Sequence, residues 1–307
     1  MERVRVGVTG STGLVGRALT ASLRERGDTV VPFVRPSTKE RPSPSVRWDP
    51  AHELIDLDDL RSVGGLDAVV HLAGAGIGDR RWTSTRKAEI VRSRVEGTSL
   101  LACSFAELPD GVAFFASASA IGWYGNRGDE VLDEGSPRGE GFLSDVCAEW
   151  EHATEPASAS STPVARLRSG IVISARGGAF KKQLPLFRVG LGAYFASGQQ
   201  WMSPISIVDE VRAILWIIDR RLEGPLNLVA PEPTTNRRFS EDIGAALHRP
   251  VKLRVPRVAL ANLFGAEMAD ELLLVSQRVV PTRLLESGFQ FRHHDAASTI
   301  RAALSKD

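Results

Sequence analysis

The chain is poor in the residues that build disulfide or metal frameworks. Among its 307 residues there are two cysteines, Cys103 and Cys147, far apart in sequence. They predict neither a disulfide framework nor a thiolate metal site, and they fit a reducing, cytoplasmic compartment. His293–His294 is an isolated pair without ligand partners at metal spacing, so no metal is expected. An excess of charge of one sign is also missing: 38 basic against 37 acidic residues leave a net charge of +1. Coating nucleic acid or an anionic membrane requires a basic face, so neither partner is expected. No apolar run approaches the ~20 residues of a membrane-spanning helix. The first ten residues, MERVRVGVTG, alternate charged and apolar side chains, which reads as a strand and not as a secretory h-region. Tyrosine is as scarce as cysteine, with Tyr124 and Tyr194 only. Four residues after them stand Gly128 and Gly198.

What is present is ordinary globular material, 43% apolar and 24% charged, in a chain long enough for two domains or one large α/β unit. Strands are expected at Val4–Val8, Thr29–Val34, Val46–Trp48, Ala68–Leu72 and Val112–Ser117, and a strand pair within Pro163–Ile173. Between them lie helical segments at Leu14–Arg26, Asp56–Val63, Thr83–Glu107 and Leu143–Ala157. Alternating strands and helices imply βαβ crossovers, and the continuous apolar runs fit strands covered on both faces. The fold class is therefore α/β, a Rossmann-type doubly wound parallel sheet with a smaller C-terminal lobe. The division expected is residues 1–175 plus about 204–230 for the Rossmann domain, and 176–203 with 231–307 for the lobe.

The strongest local signal is Thr9-Gly10-Ser11-Thr12-Gly13-Leu14-Val15-Gly16, which follows a strand and opens a helix. Gly10 permits the tight turn, Gly13 lets a pyrophosphate approach the backbone, and Gly16 lets helix and strand pack closely. The helix N-terminus then faces the phosphates. Gly10, Ser11, Thr12, Gly13, Leu14, Val15 and Gly16 are thus expected to bind a dinucleotide. For NAD an acidic residue ends the second strand and binds the ribose 2′-hydroxyl. Here that strand ends in Arg35, which can pair with a 2′-phosphate and stack on adenine. The expected cofactor is NADP(H).

The loop resembles that of extended and atypical short-chain dehydrogenases/reductases. Further segments narrow the resemblance: His71-Leu72-Ala73-Gly74, Arg81-Trp82-Thr83, Ser93-Arg94-Val95-Glu96-Gly97-Thr98, Gly122-Trp123-Tyr124-Gly125, Arg168-Ser169-Gly170-Ile171-Val172 and Gly224-Pro225-Leu226-Asn227. Together they are similar to the nucleoside-diphosphate-sugar-epimerase-like oxidoreductases with a short C-terminal domain of unknown function. The resemblance implies that Leu72, Ala73 and Gly74 line the adenosine and ribose side of the cofactor. It also implies that Glu89 and Arg94 face the cofactor, that Val172 passes its nicotinamide end and that Asp49 approaches the adenine amino group. The chain departs from the subgroup at His71, where an Asn is usual, at Ala75, where an acid is usual, and around Pro204 and Ser206, where a Trp and a His are usual.

The resemblance also raises a catalytic problem. Enzymes of this superfamily usually carry Tyr-x-x-x-Lys on one helix face, the lysine charge lowering the tyrosine pKa. Here Phe142 and Val146 stand in those places, and neither transfers a proton. Ser119, at the end of the fifth strand, and Tyr124, on the loop after it, are the candidate catalytic residues, with Ser117 beside them. Arg168, Lys181, Lys182 and Arg188 are candidates for meeting an anionic substrate, and Gln200, Trp201 and Ser203 for lining the cleft. The expected function is an NADP(H)-dependent, epimerase-like oxidoreductase acting on a small polar substrate. The alternative is a non-catalytic NADP(H)-binding redox sensor or partner-binding module. Nothing in the sequence specifies an oligomeric state.

Overall fold

The computed structural model describes residues 3–108, 112–160 and 162–305. In chain order the first half runs β1 (Arg5–Thr9), α1 (Leu14–Arg26), β2 (Thr29–Val34), β3 (Val46–Asp49), β4 (Leu54–Ile55), α2 (Leu57–Ser62), β5 (Ala68–His71), α3 (Ser84–Ala106) and β6 (Phe115–Ala120). There follow β7 (Val131–Leu132), α4 (Phe142–His152), α5 (Glu155–Ala159), β8 (Val164–Ser169), β9 (Ile171–Ile173), α6 (Gly178–Arg188), β10 (Ala193–Phe195), β11 (Trp201–Met202), β12 (Pro204–Ser206), α7 (Ile207–Arg220) and β13 (Gly224–Leu228). The tail holds β14 (Thr234–Thr235), α8 (Asn236–Ala246), β15 (Leu253–Val255), α9 (Arg257–Phe264), α10 (Ala266–Met268), β16 (Arg278–Val279), α11 (Thr282–Glu286) and α12 (Ala296–Leu304).

Eight strands form one sheet in the order β13-β8-β6-β5-β1-β2-β3-β4. All its neighbours are parallel except β3 and β4. The chain winds from β1 outward through β2 and β3, then returns to the other side through β5, β6, β8 and β13. The winding reverses between β1 and β5, and at such a switch point the connections leave on opposite faces and open a crevice above the strand ends. One apolar layer packs α1 and α7 on the sheet through Leu19, Leu23, Ile214 and Ile217. The other packs α3 through Leu101, Ala102 and Phe105. This two-sided cover is why the strands read as apolar runs and not as alternations.

Several boundaries differ from those expected, each for a local reason. The expected strand Val112–Ser117 starts at Phe115, because Val112 makes only an isolated bridge to Leu66. Its ladder to β8 runs from Phe115–Val164 to Ala120–Ser169, so Ser119 lies inside the sheet and not beyond its end. The expected helix Leu143–Ala157 is two helices broken at Ala153–Thr154. The Thr154 hydroxyl there donates to the Glu151 carbonyl, and Pro156 has no N–H to continue the ladder.

The tail builds a third apolar cluster in which Phe180, Leu184 and Phe187 of α6 meet Phe239 and Ile243 of α8 and Ile300 of α12. Carboxylates fasten the tail to the sheet. Asp209 of α7 accepts the backbone N–H groups of Arg292 and His293, both at 2.9 Å. Glu134 accepts those of Asn227 at 3.0 Å and Arg283 at 3.3 Å.

Candidate functional site

The crevice floor is the glycine loop between β1 and α1. Gly10 has a φ of +64°, and a Cβ there would stand 2.9 Å from the Leu72 and Ala73 backbone. A Cβ on Gly16 would stand 2.2 Å from the Gly10 carbonyl oxygen, so only glycine lets the helix reach the turn. Gly13 is the N-cap of α1. No side chain caps this helix and no acid stands in its first turn. Its first N–H groups and its dipole are thus presented to whatever enters, which is how helix N-termini take phosphate. Ser11, Leu14 and Val15 are half-buried around the loop, while Thr12 is exposed. Leu14 packs on Gly177, whose would-be Cβ lies 3.1 Å from its Cδ1, and this closes the far wall.

Leu72, Ala73 and Gly74 run alongside this loop, held by Thr9 and His71. The Thr9 hydroxyl oxygen accepts the N–H groups of Leu72 at 3.1 Å and Ala73 at 3.3 Å. Its proton therefore goes to His71 Nδ1, 2.7 Å away, which assigns the ring proton to Nε2. That N–H has no hydrogen-bond partner, and the ring meets Trp48 edge-on at 5.8 Å. Burial, and secondarily the Arg94 charge, drive the His71 pKa down to about 3, so the ring is neutral at physiological pH. His71 thus fills the asparagine place of the subgroup as a neutral prop for the crevice wall.

At the end of the crevice expected to take the adenosine, Arg35 follows β2 and donates through Nη1 to Asp49 Oδ1 at 2.5 Å. Asp49 also meets His52 at 2.9 Å, and that hydrogen bond, aided by Arg35, holds its carboxyl below the usual carboxylate range. Arg35 remains more than half exposed. Two residues expected to touch different parts of one nucleotide are therefore already in contact. Glu89 pairs with Arg86 at 2.7 Å and is half-buried. Arg94 instead turns inward, packed against Gly74. Val172 lies in the β9–β12 ladder opposite Ile205, its carbonyl oxygen 3.7 Å from the would-be Cβ of Gly178.

The strand ends of β6 and β8, which hold the candidate catalytic residues, are organised differently. Ser119 and Tyr124 are 4% and 0% exposed, and both are engaged. The Ser119 hydroxyl donates to Glu151 Oε1 at 2.7 Å. Glu151 in turn receives Arg168 at 2.7 and 2.9 Å in a two-point pair. Arg168 Nη1 donates to the Tyr124 oxygen at 3.2 Å, and the tyrosine gives its proton to Asn227 Oδ1 at 2.7 Å. Burial pushes the Tyr124 phenol up to about 12, and the Arg168 charge offsets only part of that rise. Arg168 was expected to meet an anionic substrate; it is instead 3% exposed, committed to Glu151 and stacked on Trp123 at 4.0 Å. Lys182 pairs with Asp79 at the surface, at 2.9 Å.

Phe142, in the tyrosine place, meets Trp82 edge-on at 5.1 Å and carries Lys87 Nζ over its ring at 4.3 Å. Its N–H and that of Leu143 donate to Glu271 of the tail at 2.9 and 2.8 Å. A carboxylate thus closes the N-terminus of α4, a favourable end for it. Val146, in the lysine place, is buried. Glu151 carries only a weak local signal, the one-face spacing Cys147-x-x-x-Glu151 on α4. Glu271 has no local signal, because it acts 129 residues from its partner. No helix among the described residues is long and apolar enough to cross a membrane, and no group of three or more metal-ligating side chains occurs among them.

Comparison with known proteins gives the family of the chain. The model of the NAD dependent epimerase/dehydratase family matches residues 6–228. The chain belongs to that family. A second model, a domain of unknown function (DUF1731), matches residues 255–303. Within the epimerase/dehydratase family, the chain is 42% identical over 307 residues to an epimerase family protein of Mycobacterium bovis, Mb2239, covering 100% of this chain and 99% of that one. It is similar to the crystal structure of the human epimerase family protein SDR39U1, which was solved with NADPH. That likeness has a TM-score of 0.87 and 33% identity, and covers 97% of this chain and 98% of that one. A nucleoside-diphosphate sugar epimerase structure from Corynebacterium glutamicum gives a TM-score of 0.80 and 37% identity, over 99% of this chain and 58% of that one.

Proposed function

We propose that the protein binds NADP(H) across the crevice and acts as an epimerase-like oxidoreductase on a small polar, sugar-like substrate. The observation that carries this reading is the uncapped α1 N-terminus behind the Gly10–Gly16 turn, with Arg35 at the adenosine end. The residues fit the cofactor: the first N–H groups of α1 would take the pyrophosphate, and the exposed Arg35 a 2′-phosphate. Support also comes from the human relative, which was crystallised with NADPH. When bound, the nicotinamide supplies the hydride donor or acceptor. The chain's part is to hold the carbon beside it and exclude water. Ser119, at the C-terminal end of β6, offers its remaining lone pair to a substrate hydroxyl while Glu151 fixes its proton. Thermal unfolding with NADPH and with NADH tests the cofactor. A clearly larger rise with NADPH supports the reading, and no rise with either overturns it. Steady-state NADPH oxidation over a carbonyl and nucleotide-sugar panel, with Ser119→Ala, tests the reaction.

One observation favours a second reading, an NADP(H)-binding module without turnover. The Tyr124 proton is committed to Asn227, and Phe142 and Val146 carry no proton to give. Robust turnover on any panel member removes this reading. Cofactor-dependent capture of a partner without turnover supports it.

A further inference from the structure

A net charge of +1 is an average over the whole chain, and the fold sorts the charges unevenly. Residues 156–208 contain no Asp or Glu, and neither do residues 243–266. The fold lays these two acid-free stretches side by side in the tail lobe. β10 pairs with β15, Ala193 opposite Leu253 and Tyr194 opposite Arg254, and Arg249 Nε donates to the Arg188 carbonyl oxygen at 3.1 Å. Arg188, Arg249, Lys252 and Arg254 are all exposed. Among the described residues none of the four pairs with a carboxylate. The acids that flank the second stretch are spent elsewhere, Glu241 and Asp242 on Arg237 and Arg238, and Asp270 on Arg257.

Large apolar side chains gather among these cations. Nine stand exposed among the described residues, and four of the nine are Leu186, Val189, Leu191 and Leu253, at 54%, 69%, 55% and 46% exposure. Single exposed leucines are ordinary; a cluster of them marks a surface that meets something. The cluster is a tip and not a groove. The Gly190 N–H donates to the Phe187 carbonyl at 3.0 Å and the Leu191 N–H to that of Leu186 at 2.8 Å, folding residues 189–191 back over the end of α6. Gly190 has a φ of +79°, and a Cβ there would meet nothing within 4 Å, so the turn stands clear of the protein. Its base is firm, because Leu184 and Phe187 are buried in the tail cluster. α6 starts at the crevice wall, where a Cβ on Gly178 would stand 3.4 Å from Leu14 Cδ2. Its 11 residues carry the tip about 16 Å outward from there.

We propose that this tip docks on an anionic lipid surface, Val189 and Leu191 entering the headgroup layer while Arg188, Arg249 and Lys252 meet lipid phosphates. A convex tip gives a protein helix or strand no groove to fill. A headgroup layer takes apolar side chains without a preformed pocket, and its negative charge matches cations that have no carboxylate of their own. The even balance of charge along the chain predicts no basic face, and it misses this one because the compensating acids lie elsewhere in the fold. The inference is independent of the NADP(H) reading above.

The test is cosedimentation of the whole chain with vesicles of phosphatidylcholine alone and of phosphatidylcholine mixed with phosphatidylglycerol, near physiological ionic strength. The chain should bind the mixed vesicles at least about tenfold more tightly than the neutral ones, and added salt should weaken that binding. Arg188→Glu with Lys252→Glu should lower it about tenfold or more, since each cation beside an anionic leaflet contributes about fivefold. Val189→Ser with Leu191→Ser should also lower it about tenfold, through the lost apolar contact. All four positions are exposed, so both double variants should melt with the parent. No binding to the mixed vesicles, equal binding to both kinds, or binding that survives both double variants overturns the inference. So does a lipid-free dimer in sedimentation velocity that Val189→Ser with Leu191→Ser abolishes, which would assign the tip to a second copy of the chain.

Discussion

The two ends of the crevice treat polar groups in opposite ways. At the glycine loop the first N–H groups of α1 stay available to a ligand, and Arg35 is more than half exposed although its Nη1 is held by Asp49. At the strand ends of β6 and β8 the polar groups are spent on one another, from Ser119 through Glu151 and Arg168 to Tyr124 and Asn227. A site built to bind presents donors without partners; a buried network that is fully satisfied stiffens the fold instead. The difference leaves the glycine-loop end open to a ligand, whereas the end at β6 offers only the second lone pair of Ser119.

The sharpest way to break this contrast is to cut the network. Glu151→Ala leaves Arg168 buried without its counter-charge and should cost about 3–5 kcal/mol of stability in chemical denaturation. NADPH affinity of the folded fraction should change by less than about twofold; a large affinity loss with unchanged stability would place Glu151 at the ligand and erase the contrast. At the other end, Gly16→Ala drives a Cβ into the Gly10 carbonyl. A backbone clash of that kind should cost about 2 kcal/mol or more and lower NADPH affinity at least about tenfold, read by unfolding and by titration on one preparation.

Glu210 sharpens the comparison through pH. It receives the Ser169 hydroxyl at 2.6 Å on Oε1, its Oε2 has no partner, and burial raises its pKa from 4.5 to about 7. The folded state therefore holds a proton that the unfolded state has released. That contribution to stability is full below the unfolded value and is lost as pH rises through about 7. Glu210→Gln should flatten the decline between mildly acidic and neutral pH, from 4.5 to about 7, and be the more stable form at pH ~8 by about 2 kcal/mol. A slope unchanged by the substitution would mean that the carboxyl titrates normally. The smallest effect concerns Arg35. Arg35→Ala should reduce the preference for NADPH over NADH by about tenfold, measured as a ratio of dissociation constants. An unchanged ratio would move 2′-phosphate recognition elsewhere.

Much of this was legible locally. The glycine triplet, the helix it opens and Arg35 lie within thirty residues of one another, and each acts through its own backbone or its immediate neighbours. Thr83 could be expected to start α3, and it does cap it, its hydroxyl accepting the Arg86 N–H at 3.2 Å. Ser119 was found at its strand, but its facing was not legible. The ladder begins three residues later than the apolar run suggests, and strand facing depends on register. Arg168 shows the limit more clearly. As a sequence feature it was a cation near a strand end; as a structure it is half of a buried pair with a residue on another element.

The sequence by itself determined the sheet's hydrophobic runs, the glycine-rich turn between β1 and α1 and the absence of a Tyr-x-x-x-Lys pair, because each is a property of residue type and short spacing. Only the tertiary structure decided which polar groups are satisfied. Glu151 silences Arg168, Glu271 closes α4 from 129 residues away, and among the described residues Arg94 is left without a carboxylate partner. Pairing of charge is a matter of distance in space, and residues that meet across a switch point or from a folded tail share no local pattern along the chain.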